Sequence, residues 1–207
     1  MNFQVRPFQL EDIPYLLDYW YNNSEDNLTR MGVDKSLLGP RIKREQDLID
    51  SFHTPNNLKD NFHIIWLINN EPVGHNSFDH ILINEISHMH LHMWSQKWRG
   101  KGYGAILFCQ AVMMFYSLFH PKIILSEPCS ENAMPNKMFE KIGFKKWKSY
   151  LAKSSEISIL SELTNFIIDQ EIALKYLKAN GILEARESLF DQKQMSPQDP
   201  AFPTEQA

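Results

Sequence analysis

Cysteine is scarce: Cys109 and Cys129 are the two in 207 residues, too few for a disulfide scaffold in a chain of this size. Cationic charge is not in excess either. The 21 Lys plus Arg stand against 25 Asp plus Glu, a formal charge of -4, which gives no general attraction for a polyanion and argues against nucleic-acid binding. Long hydrophobic runs are missing. The near-apolar stretch from Ala105 to Phe119 is interrupted by Gln110, is short for a membrane span and suits a buried core helix. No basic, apolar, small-residue leader opens the chain, so a cytoplasmic location without membrane partners is expected. No internal repeat is present. What the chain does have is 43% hydrophobic and 12% aromatic residues, enough to pack one domain with an extension.

Periodicity divides the chain into alternating strands and helices. "NFQVR" (2–6) reads as a strand, and "QLEDIPYLLDYWYNN" as a helix with Ile13, Leu16, Leu17 and Trp20 at spacings of three and four. "RIKREQDLIDSF" sets Ile42, Leu48, Ile49 and Phe52 near one side of another helix, after the break at Gly39-Pro40. "FHIIWLI" and "PVGHNSFDHILI" flank "NNE" as strand, turn and strand, and "ISHMHLHMW" continues the meander. A helix from about Tyr103 to Phe119 follows, then the strand "KIILSEP", then a helix from about Ala133 to Ile142 that Gly143 ends. "FKKWKSYLA" and "EISILSELT" close the set around a polar "KSS" turn. Residues 165–190 form two helical segments split at Asn180-Gly181, and the polar, Pro-containing residues 191–207 are expected to be disordered. The result is an α+β domain over residues 1–164, a mixed sheet of about seven strands flanked by helices.

Between the fourth strand and the long helix lies Arg99-Gly100-Lys101-Gly102-Tyr103-Gly104. A helix N-terminus preceded by glycines can present free backbone N–H groups to a phosphate at close range. The spacing fits neither a P-loop nor a dinucleotide-binding turn. Read as Arg-x-x-Gly-x-Gly on Arg99, Gly102 and Gly104, it resembles the pyrophosphate-binding motif of the GCN5-related N-acetyltransferases. "SEPCSENAMPNKMFEKIGF" resembles that superfamily's later block, with Asn132, Glu140, Lys141, Gly143 and Phe144 in the matching places.

The resemblance, over residues 2 to 164, implies a mostly antiparallel twisted sheet that splays between its fourth and fifth strands to admit acetyl-CoA. It implies direct transfer of the acetyl group to a small-molecule amine or peptide acceptor in a ternary complex, with no metal and with a homodimer as an expected assembly. Residues 100 to 104 would hold the pyrophosphate through their amides, with Lys101 adding charge and Arg99 ordering the loop. Met93 and Trp94 would offer backbone groups to the pantetheine and thioester, Asn132 would bond the pantetheine arm, and Phe139 would pack beside the cofactor. Many members carry a Tyr at the Phe139 place as acid to the leaving thiolate, and this chain has no phenol there.

His88, His90 and His92 alternate along the fourth strand and so share one face. An amine must lose a proton to attack a thioester, and a histidine, with its ordinary pKa near 6.5, suits that task. Histidines at 88 and 90 resemble the His-x-His of arylalkylamine acetyltransferases, which implies His90, with His88 as partner, as the base. Two alternatives stand beside this: the three histidines bind a metal, or, since Phe139 lacks a hydroxyl, the chain is a CoA-binding sensor without catalysis. The run Tyr19-Trp20-Tyr21 lies where the superfamily builds its acceptor wall. Three consecutive side chains cannot share a helix face, so at least one is expected in the core.

Overall fold

A computed structural model describes residues 1–182. Its strands are β1 (Phe3–Pro7), β2 (Phe62–Ile68), β3 (Glu71–Asp79), β4 (Ile86–Met93), β5 (Ile123–Ser126), β6 (Lys145–Ala152) and β7 (Ser161–Ile168). The helices are α1 (Ile13–Tyr21), α2 (Glu25–Arg30), α3 (Arg41–His53), α4 (Tyr103–Phe119), α5 (Ala133–Ile142) and α6 (Gln170–Ala179). The seven strands form one sheet in the order β1-β2-β3-β4-β5-β7-β6, antiparallel at every pair except β4 with β5. The β2–β3 turn is Asn69-Asn70, with φ of 51° and 65°, the left-handed pair that a two-residue hairpin loop needs.

Alternation along the strands sends two sets of side chains to two cores. Ile64, Trp66, Phe78, Met89 and Ile124 face α4, where Phe78 stacks on Phe115 at 3.7 Å between ring centroids. Helix α4 is apolar on nearly every side because α6 covers its far surface, with the Tyr116 hydroxyl donating to Ile168 O at 3.1 Å. No helix of the described residues is long and apolar enough to cross a membrane. A smaller core of Phe8, Ile13, Leu16, Leu17, Leu48 and Ile65 seats α1 and α3 on the opposite sheet face.

One strand lies later than its pattern suggests. The segment expected as the strand "EISILSELT" is largely a connection, and β7 runs on to Ile168, so the domain boundary expected at Thr164 falls inside a strand. Residues 157–159 are drawn away from the sheet edge by hydrogen bonds to the α2 end, where Asp34 N donates to Ile157 O and Ile159 N donates to Gly32 O, both at 2.9 Å. Helix α6 answers to the first expected C-terminal helix. The second helix and the tail at 191–207 lie outside the described residues.

Candidate active site

The parallel pairing of β4 with β5 lasts three residues, from Ile86–Ile123 to His88–Leu125, and Ser126 Oγ adds a last bond to Met89 O at 2.6 Å. Beyond it β4 runs on to Met93 without a partner on that side among the described residues. In an antiparallel ladder successive residues turn their main-chain groups to opposite sides. Trp94 N donates to Val73 O at 2.8 Å, so Trp94 commits its amide to β3, and the main-chain groups of Leu91 and Met93 turn into the opening. The Met93 carbonyl there accepts from Arg99 Nε at 3.2 Å and Nη2 at 2.6 Å, which ties the glycine loop to the end of β4.

The loop's conformation follows from its glycines. Gly100 and Gly102 have φ of 73° and 82°, and a Cβ on either would meet no atom within 4 Å, so their backbone faces open space. Gly102 is the N-cap of α4 and has no side chain to satisfy the first-turn amides. Lys101 Nζ and Lys97 Nζ lie 5.3 and 4.9 Å from the Trp98 ring centroid, and the buried Trp98 Nε1 has no acceptor among the described residues. Tyr103 begins α4 and packs against Phe3 and Trp98. Lys97 Nζ is held by the Glu71 carboxylate at 2.8 and 2.9 Å, so the uncapped amides, the open glycine backbone and the Lys101 ammonium are what fit an anionic phosphate group.

On the far wall of the opening, Asn132 is the N-cap of α5 and makes no side-chain capping bond. Its carbonyl accepts from Asn136 Nδ2 at 2.8 Å, and Asn136 Oδ1 is buried without a partner among the described residues. Phe139, expected to pack beside a cofactor, faces the main core. It is fully buried against Phe108, Phe144 and Phe166, because the apolar face of α5 turns into the main core.

The three histidines share a face as their spacing requires, and their surroundings then separate them. His92 stacks on His75 at 4.6 Å and lies 3.4 Å from the Tyr19 hydroxyl, and Trp94 Nε1 donates to His75 Nδ1 at 2.8 Å. Burial, with neighbouring histidine charge, holds His75 and His92 well below the usual imidazole range, and burial brings His63 beside them down to about 3. His90 Nε2 lies 3.1 Å from Asp79 Oδ2. His88 Nδ1 lies 3.4 Å from Glu127 Oε2, and that contact raises its pKa against the opposing effect of burial. Each imidazole thus has a different partner, and among the described residues no group of three or more could hold a metal ion.

His90 and Asp79 stand on the floor of a cleft of about 440 Å³. Trp20 and Tyr21 wall it from α1, while the 9%-exposed Tyr19 is the member of the run that enters the core. Arg44 and Asp47 reach in from α3, and Ser154 to Ser158 close it from the β6–β7 connection. Four carboxylates, Asp47, Asp60, Asp79 and Glu156, face one guanidinium, so the cleft suits a cation.

Sequence reasoning missed Asp79, Glu127 and Tyr150. Glu127 follows β5 directly and accepts from the Tyr150 hydroxyl and Asn165 Nδ2. Burial alone would raise its pKa, and these donors with His88 outweigh it and bring it down to about 2. Its position after "KIILS", at a strand end beside the opening, was the available signal.

A sheet of this order, opened beside a parallel β4–β5 pair and closed by a glycine loop leading into α4, defines the fold of the GCN5-related N-acetyltransferases. Solved structures of one such enzyme carry the same fold. Spermidine N-acetyltransferase from Vibrio cholerae in complex with CoA and spermine superposes with a TM-score of 0.65 at 13% identity, over 83% of this chain and 98% of that one. The dodecameric form of that enzyme in an intermediate state gives 0.63 at 13% identity, over 86% and 97%. No family model matches the sequence, and no curated protein matches it.

Proposed function

We propose that the protein transfers an acetyl group from acetyl-CoA to an amine acceptor by direct attack in a ternary complex. The observation that carries this reading is the opening between β4 and β5, with an uncapped glycine loop at one end and histidine–carboxylate pairs at the other. The amides of residues 100 to 104, with Lys101, hold the pyrophosphate. Leu91 and Met93 offer main-chain groups to the pantetheine in place of Trp94, and Asn132 bonds it from α5. Acetyl-CoA, when bound, supplies the activated acetyl carbonyl.

The acceptor enters through the acidic cleft. His90, directly or through water, takes the proton that frees its nitrogen for attack, with His88 as partner. The neighbour whose solved complex contains spermine supports a polyamine as the first acceptor to try, in keeping with the four carboxylates of the cleft. Assembly as a homodimer belongs to the same proposal. The buried Phe139 favours a second reading, a CoA-binding sensor without turnover, since it leaves no phenol at that place to protonate the thiolate. Calorimetry with CoA, followed by thiol release from acetyl-CoA in the presence of spermidine, a peptide amine or an aminoglycoside, separates the readings. The transferase binds CoA and releases thiol with one of these acceptors. CoA binding without acceptor-dependent thiol release supports the sensor, and no CoA binding contradicts both.

A further inference from the structure

The last rung between β4 and β5 is Ser126 Oγ to Met89 O, and the residues flanking it are His88 on one strand and Glu127 just past the end of the other. Their side chains meet across the apex of the opening, with His88 Nδ1 at 3.4 Å from Glu127 Oε2. His88 shares the sheet face of His90, which lines the acceptor cleft. His88 and Glu127 lie just outside the cleft lining, next to His90 and Asp79 at its floor, so a donor entering through the opening and an acceptor on His90 come together near this pair.

We propose that Glu127 is a positioning residue that fixes His88 to receive the second proton, the one the acceptor nitrogen loses after His90 has taken the first, so that His88 and Glu127 form a proton-accepting pair at the apex of the split sheet. This rests on the acetyl-transfer reading. A carboxylate on Nδ1 selects the tautomer with the proton on that nitrogen, leaves Nε2 as the basic atom and stabilises the imidazolium that forms. His88 Nε2 has no hydrogen-bond partner among the described residues. The carboxylate itself is held: its side chain is 8% exposed, and its other oxygen accepts from Tyr150 on β6 and Asn165 on β7. Two donors fixing one oxygen while the other meets an imidazole serve orientation, because an isolated buried carboxylate would be costly. In the reaction His90 has taken the first proton of the ammonium before attack; the amine nitrogen then bonds to the acetyl carbonyl carbon, and the second proton it must lose passes to His88 Nε2. The C–S electron pair leaves with the thiolate.

The ionisable groups facing His88 are Glu127 beyond β5, Asp79 opposite it on β3, and His80, whose ring lies 5.6 Å away. Burial opposes its protonation, while Glu127 and Asp79 favour it, and the balance is a raised pKa.

The test begins without any acetyl donor, by NMR titration of the imidazole signals, with His88 identified as the signal missing in His88→Gln. Wild-type His88 should titrate above the ordinary 6.5, and in Glu127→Gln it should fall to or below that value. With acetyl-CoA and spermidine, Glu127→Gln should lower kcat at least tenfold, keep the KM for acetyl-CoA within about twofold, and move the acidic limb of the rate profile to lower pH. A His88 that titrates at or below 6.5 in the wild type overturns the pair even if the variant does not fold. So does a folded Glu127→Gln with unchanged His88 titration and an unmoved acidic limb. If His88 titrates as stated but the wild type acetylates no amine, the acetyl-transfer reading fails and the proton-accepting role falls with it, while Glu127's hold on His88 stands.

Discussion

At the scale of the residue, one strand face gives three histidines three different surroundings. His90 is 23% exposed beside Asp79 in the cleft, and His90→Gln should keep its shape while losing the base. The expected result is a fall in rate of about 10² with CoA affinity nearly unchanged, read by steady-state kinetics and calorimetry. His92 is walled in by Tyr19, Trp20 and His75, so its substitution should act on stability. Gly102 carries a different demand. At a φ of 82° a valine is strained by roughly 1–2 kcal/mol, and its side chain occupies the space before the uncapped amides. Gly102→Val should weaken CoA binding at least tenfold, about 1.4 kcal/mol, in a variant whose circular dichroism spectrum matches the wild type. Unchanged affinity in that variant would remove the phosphate from this loop.

At the scale of the element, β2, β3 and β4 bring His63, His75 and His92 into a row, the first two buried and His92 half-buried at the cleft wall. All three have folded pKa values depressed by burial below the unfolded value of 6.5. Below pH 6.5 the unfolded chain takes protons that the folded row refuses, so their stabilising contribution is complete above 6.5 and is lost as pH falls toward the folded values. Each can contribute up to about 1.4 kcal/mol per pH unit in that window. His88, with its raised value, acts in the opposite sense, stabilising below 6.5 and ceasing to as pH rises through its folded pKa. Melting temperature should drop steeply between pH 6.5 and 5, with a slope about a third shallower in His92→Gln, which cannot take the proton. A flat profile would mean that the row is not dry. Alternation along "HMHLHMW" made the shared face legible in the sequence. Which histidine is buried was not legible, because α1 from a distant part of the chain supplies Tyr19 and Trp20. For the same reason the β7 start was missed: the residues before it are held by the α2 end, a contact that local pattern does not carry.

At the scale of the whole molecule, the succession of strands and helices along the chain, the glycine loop and the Gly143 stop were legible because each rests on local backbone chemistry. The carboxylates were harder, since Asp79, Glu127 and the acids of the cleft converge from separate elements only after folding. That convergence gives a molecule with a carboxylate-rich cleft on one sheet face and an open glycine loop at the end of a gap through the sheet. A ligand that binds the folded state alone should raise its stability by about 2.7 kcal/mol at one hundred times its dissociation constant, so CoA should raise the melting temperature in proportion to its logarithm. The central claim is acetyl transfer to an amine, and mass spectrometry of spermidine incubated with acetyl-CoA and the wild-type protein measures it most directly. Acetyl transfer should give spermidine heavier by one acetyl group, formed with an equal amount of free CoA and about 10² more slowly with His90→Gln. Unmodified spermidine, with the other amines of the acceptor panel also unmodified under conditions where CoA binds, would contradict it.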